Sequence, residues 1–168
     1  MTNNTKTFLV SSFVAIAIAI VGVALLNSSK TIEKKEGAVV TSNSLVGKPM
    51  PSVQLFDKDS KVYPIENLRG KNVVLFFNEG LMCYPACWNQ IAAFGADPRF
   101  NSSETVAMSV VVDSPRDWQQ AIAKMPELAK STTLFDTNAN TSRALGLLSA
   151  GSSMHAGQLP GHSYVLID

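Results

Sequence analysis

The hydrophobic pattern divides the chain into an apolar segment, a polar segment and a longer stretch of alternating periods. Phe8–Leu26 ("FLVSSFVAIAIAIVGVALL") is apolar throughout and carries no charge, close to the ~20 residues that span a bilayer as a helix. It is longer than the ~7–15 apolar residues of a signal peptide, and no small-x-small cleavage site follows. The reading is therefore a transmembrane anchor at 8–26 behind a short flank at 1–7. Residues 27–45 are polar, serine-rich and aperiodic, which predicts a flexible tether. A folded domain is expected from 46 to 168.

Within that domain, "SVQLF" alternates weakly, "DKDSK" reads as a turn and "NLRGK" as a glycine turn. Asn72–Asn78 ("NVVLFFN") and Thr105–Asp113 ("TVAMSVVVD") are continuous β-branched and aromatic runs, the pattern of strands buried on both faces. "PACWNQIAAFGA" places Trp88, Ile91, Ala92 and Phe94 near helical spacing. "SPRDWQQAIAKM" offers Ser114 as N-cap and Pro115 at the first helical position, with Trp118, Ile122 and Met125 on one face. "STTLFD" predicts a short strand, "NTSRALGLL" a short helix ending near Gly146, and "HSYVLID" a last strand. This alternation predicts an α/β fold, a mixed sheet flanked by helices. A final strand running into Asp168 reads as a domain that continues further. Its uncovered edge is expected to leave 46–168 marginally stable and sticky.

Charge changes this picture little. The formal net charge is +1 and charged residues make up 16% of the 168. There is no basic stripe for nucleic acid and no acidic tail. Lys6 and the amino terminus flank one side of the apolar run, and Lys30, Lys34 and Lys35 the other, with Glu33 and Glu36 among them. The count leans slightly toward an inward C-terminal side and does not fix orientation. Two cysteines exclude a disulfide-built scaffold. No glycine-rich phosphate loop or Ser-His-Asp order is present.

The two cysteines, Cys83 and Cys87, stand four positions apart around Pro85 in "EGLMCYPACWNQ". A staple, a metal clamp and a redox centre are all open readings. Strand 73–77 delivers the chain to a sheet edge where sites collect, and Cys83 lies at or before a helix start. Unpaired N–H groups and the helix dipole there favour a thiolate. Cys87 is near enough to attack it, since such a turn allows the ~4.4–6.8 Å α-carbon spacing of a disulfide. Glu79 is read as a solvated loop acid, its functional alternative being a proton acceptor for the resolving thiol.

"GKPMPSVQLFDKDSKVYPIENLRGKNVVLFFNEGLMCYPAC" resembles the opening of the peroxiredoxin/redoxin group, the AhpC/TSA superfamily of the thioredoxin-like fold, and "GHSYVLID" resembles its late strand. The resemblance implies a thiol oxidoreductase that reduces peroxides or exchanges disulfides. Catalytic Cys83 attacks, Cys87 resolves, no cofactor is needed, and a thioredoxin-like dithiol is the reductant. It also implies that a strand and a helix follow Asp168. The peroxiredoxin threonine three residues before the attacking cysteine is replaced by Gly80, its proline by Phe76, and its late arginine has no clear counterpart, His162 standing near there. The Cys-x-x-x-Cys spacing with a later histidine also resembles the Sco group of membrane-anchored copper chaperones, although Trp88 stands where that group has proline. That alternative implies copper on Cys83, Cys87 and His162, with Met82, Met154 and His155 as further donors. Otherwise His162 is a polar turn residue and "SMHAG" a flexible loop. The expected location is a single-pass membrane protein with its soluble domain outside the cytoplasm.

Overall fold

The computed structural model describes residues 42–168. The expected anchor at 8–26 and most of the expected tether lie outside the described residues. No helix among the described residues is long and apolar enough to cross a membrane. The last residues of the predicted tether are structured: Ser42–Leu45 forms a 3-10 turn, and Leu45 packs against the core.

Four strands form one sheet: β1 (Asn72–Phe77), β2 (Thr105–Val111), β3 (Thr132–Phe135) and β4 (Ser163–Ile167), in the order β3-β2-β1-β4. β1 pairs parallel with β2 (Phe76 opposite Ser109), β2 parallel with β3, and β4 antiparallel with β1 (Phe76 opposite Tyr164). The helices are α1 (Ala86–Ala96), α2 (Pro115–Lys124) and α3 (Asn140–Ala144). The mixed thioredoxin-like sheet with flanking helices is thus the architecture of the domain. "SVQLF" forms no strand; Phe56 alone bridges Val62 and Phe135. The residues between them close a turn in which Asp57 Oδ1 accepts the N–H groups of Asp59 and Lys61.

The two faces of the sheet carry separate cores. On one, Phe76, Ala107 and Val111 meet Trp88, Ile91, Phe94, Trp118 and Ala121 from α1 and α2, and the two cysteines. On the other, Leu75, Phe77, Met108 and Val110 meet Leu55, Leu145 and Leu147. This is why β1 and β2 read as unbroken apolar runs. α2 begins as predicted, with Ser114 Oγ accepting the Asp117 N–H behind Pro115. α3 is shorter than expected, because Gly146 takes a left-handed φ of 69° and the chain turns into a 3-10 segment, Leu147–Ser149. In β4, Tyr164 and Leu166 are largely exposed.

Burial sets the stability ranking. Leu75→Ala removes a fully buried side chain and should cost ~2–5 kcal/mol in denaturant unfolding. Leu166→Ala, at a largely exposed position, should change it by no more than ~0.5 kcal/mol.

Candidate active site at the exit of β1

The site is built where β1 leaves the sheet. Asn78 continues the ladder by one bond, its N–H donating to Val110 O at 3.1 Å. Its side chain is wholly buried. Nδ2 donates to Ser109 Oγ at 3.0 Å and Phe76 O at 3.1 Å, and Oδ1 accepts the Gly80 N–H at 2.9 Å. Gly80 then takes a left-handed φ of 60° and opens the 3-10 turn Gly80–Cys83. Its carbonyl accepts the Trp88 indole N–H at 3.2 Å.

Any β-carbon at position 80 would overlap the Asp113 carboxylate. The predicted strand Thr105–Asp113 ends at Val111, and Asp113 turns back so that its Oδ2 accepts the Leu81 N–H at 2.9 Å. The place of the peroxiredoxin threonine is therefore filled from another strand. A β-branched residue would also be strained at that φ. Phe76, in place of the peroxiredoxin proline, is a paired residue of a central strand, stacked on Tyr164 at 4.8 Å.

Cys83 closes the 3-10 turn and Cys87 is the second residue of α1, with Pro85 at the N-cap. The two are joined as a disulfide, with α-carbons 5.4 Å apart. Both are nearly buried, at 5% and 3% exposure, inside the cluster of Trp88, Ile91 and Phe76. His162, exposed and one residue ahead of β4, brings Nε2 to 3.2 Å from Cys83 Sγ. One donor atom from each of Cys83, Cys87 and His162 lies within 4.8 Å of the others. The structure thus assembles these three residues from positions 79 apart at the extremes.

The other candidate donors stand apart from this group. Met82 and Met154 are exposed on the surface. His155 is held by Glu79, its Nδ1 lying 3.0 Å from Glu79 Oε2. Glu79 itself is not a solvated loop acid: its side chain is wholly buried. Oε1 accepts the Met154 N–H at 3.1 Å and lies 3.4 Å from Ser153 Oγ, whose single proton it shares with Leu159 O at 3.0 Å. Both its oxygens are thus engaged by residues 153–155 rather than by Cys87. Asn78, Asp113 and this role of Glu79 have no signal in local sequence, because each depends on a partner at least 31 positions away.

A sequence model of the AhpC/TSA family matches residues 46–168. The chain belongs to the AhpC/TSA family. No curated protein matches the sequence. The fold is similar to that of peroxidoxin BcpB from Mycobacterium tuberculosis, at 18% identity over 69% of this chain and 73% of that one, TM-score 0.54. It is also similar to the yeast mitochondrial 1-Cys peroxiredoxin, at 20% identity over 70% of this chain and 59% of that one, TM-score 0.54. A more distant similarity links it to yeast Sco1, at 16% identity over 68% of this chain and 78% of that one, TM-score 0.44. The redoxin fold and a thiol chemistry of the family's general type follow from membership and the adjacent cysteines.

Burial lifts the Asp113 carboxyl above its ordinary 3.8, partly offset by the Leu81 N–H. The native state therefore holds this proton to higher pH than the unfolded chain does. The stability of the protein relative to Asp113→Asn should fall as pH rises from about 3.8 through the raised native value, then level off. Denaturant unfolding of both proteins across that range measures it, and a flat difference would remove the desolvated carboxyl from the site.

Proposed function

We propose that the protein is a dithiol–disulfide oxidoreductase that acts on disulfides of partner proteins in preference to peroxides. The observation that carries this reading is the 3.2 Å contact between Cys83 Sγ and His162 Nε2 beside the Cys83–Cys87 pair. In the reduced protein the imidazole accepts the Cys83 proton, and the imidazolium stabilises the thiolate. Cys83 attacks a partner disulfide: the partner's S–S bond breaks, a Cys83–partner bond forms, and the first partner thiolate takes the proton from His162. Cys87, as thiolate, then attacks Cys83 Sγ, closing the internal disulfide and expelling the second partner sulfur. The partner leaves reduced by two electrons. A thioredoxin-like dithiol returns two electrons to the Cys83–Cys87 bond.

The same thiols can reduce a peroxide through a sulfenic acid at Cys83, which Cys87 resolves with release of water. At Gly80, however, there is no hydroxyl to hold the peroxide, and the Asp113 carboxylate fills the space. An anion there opposes the negative charge that develops on the departing oxygen. The reading includes an anchor at Phe8–Leu26 and a domain outside the cytoplasm, where exchangeable disulfides persist.

With Cys87→Ser the exchange should stop at the mixed disulfide, and mass spectrometry should show the partner attached to Cys83. For the unaltered chain, the second-order rate constant with a protein disulfide should exceed that with hydrogen peroxide. The opposite order would make peroxide the substrate.

One observation favours a second reading. The Cys83 and Cys87 sulfurs and a His162 nitrogen lie within 4.8 Å of one another; once the disulfide is reduced, two thiolates and an imidazole form a donor set that suits Cu(I), which would be carried as cargo. Under that reading, anaerobic titration of the reduced chain should reach about one Cu(I) per molecule. His162→Ala should weaken binding by more than the ~10–100-fold typical of losing an outer partner. Saturable binding that His162→Ala leaves unchanged would exclude the three-ligand site.

A further inference from the structure

Glu79 is a carboxylate with no solvent access, and neither thiol chemistry nor copper binding calls on it directly. A buried carboxylate is costly unless it is fully hydrogen-bonded or paired. Here all its partners belong to one distant stretch: Ser153 Oγ, the Met154 N–H and His155 Nδ1. That stretch is itself cross-braced, since Ser153 Oγ donates to Leu159 O at 3.0 Å and accepts the His155 N–H at 3.1 Å. Gly161 packs so tightly against Ser152 and Ser153 that a β-carbon at 161 would overlap them. The next residue is His162, whose Nε2 meets Cys83 Sγ. Glu79 and Cys83 leave β1 in the same short segment, and Ser153 and His162 reach it from the far end of the chain.

We infer that Glu79 is a positioning residue: its buried carboxylate grips residues 153–155, and through Gly161 it sets His162 against Cys83. The inference rests on the reading that His162 activates Cys83. It assigns Glu79 a task that acts through another side chain, and it accounts for a buried charge beside the reactive turn.

The test is a double-variant cycle on the full, reduced chain, carrying Cys87→Ser so that a single thiol reports. The readout is the rate of Cys83 alkylation by iodoacetamide at pH 7. His162→Ala should slow alkylation about tenfold, the equivalent of about one unit in thiol pKa. Glu79→Ala should slow it several-fold, and adding it to His162→Ala should change nothing further, because its effect passes through a residue already gone. Glu79→Gln, whose amide oxygen can still accept from Met154 and Ser153, should recover most of the rate. Should Glu79→Ala fail to fold, His155→Gln, at a half-exposed position, loosens the same grip and should slow the reaction less, again with no added effect in the absence of His162. Multiplying rather than overlapping effects would overturn the inference, as would an unchanged rate in the Glu79 and His155 variants while His162→Ala is slow. An unchanged rate in His162→Ala would overturn both the inference and the reading beneath it.

Discussion

β1 leaves the sheet with polar groups still inside the protein, and the site depends on how those groups are satisfied. Asn78 and Glu79 follow Phe77 without reaching solvent. Each buried donor or acceptor left unpaired would cost about 1–3 kcal/mol, and a buried charge more. Asn78 meets the demand from β2 and from the turn it precedes, through Ser109 and Gly80. Glu79 meets it from residues 153–155. The exit of β1 is therefore tied to two other parts of the chain before the first cysteine is reached. Pairing of β1 with β4, Phe77 opposite Ser163, brings His162 beside this exit, and the grip proposed for Glu79 would set it against Cys83.

The same constraint shapes the chemistry open to the site. A hydroxyl at position 80 would give a peroxide something to bind. The left-handed turn that relieves the strand exit requires glycine there, and Asp113 enters the space this leaves. The carboxylate in turn secures the Leu81 N–H, a donor that a 3-10 turn leaves free at its start. The turn that presents Cys83 is thus bought with the loss of the residue that peroxiredoxins place beneath theirs. This links a backbone dihedral angle to the substrate preference proposed above, through one residue whose backbone leaves no room for a side chain.

Much of the fold was legible in the sequence, and the reason is local. β1, β2 and α2 are specified by apolar runs, by Ser114 and by Pro115, all of which act within a few residues. The cysteine pair was legible because its spacing permits closure, and His162 only through the resemblance of a histidine ahead of the late strand to the Sco group. What escaped were the polar contacts of Asn78, Glu79 and Asp113 over long sequence distances. Glu79 reads as a surface acid because nothing near it in sequence is its partner; its partners lie 74–76 positions away. His155 reads as a spare metal donor for the same reason. The end of β2 was placed two residues late, because Asp113 looks like a strand terminus until Gly80 is seen to need it. The segment "SVQLF" alternates as a strand does, yet within it only Phe56 forms β-bridges, to Val62 and Phe135.

Burial and reactivity pull in opposite directions at the sulfur atoms. Cys83 and Cys87 lie among Trp88, Ile91 and Phe76, surroundings that disfavour a thiolate and would by themselves make the pair inert. In the proposed exchange an imidazolium at His162 offsets that penalty, and its effect is larger in a weakly polarisable setting than in water. The aromatic wall that suppresses the thiolate therefore also strengthens the one contact that restores it. His162 is exposed and touches Cys83 Sγ, while both cysteines are nearly buried. That contact favours the proposed roles, in which the sulfur beside the imidazole meets the partner and the sulfur inside the helix turn closes the disulfide. Both proposed chemistries start from the reduced pair, so exchange and metal binding would compete for the same two thiolates, and closing the disulfide would end both.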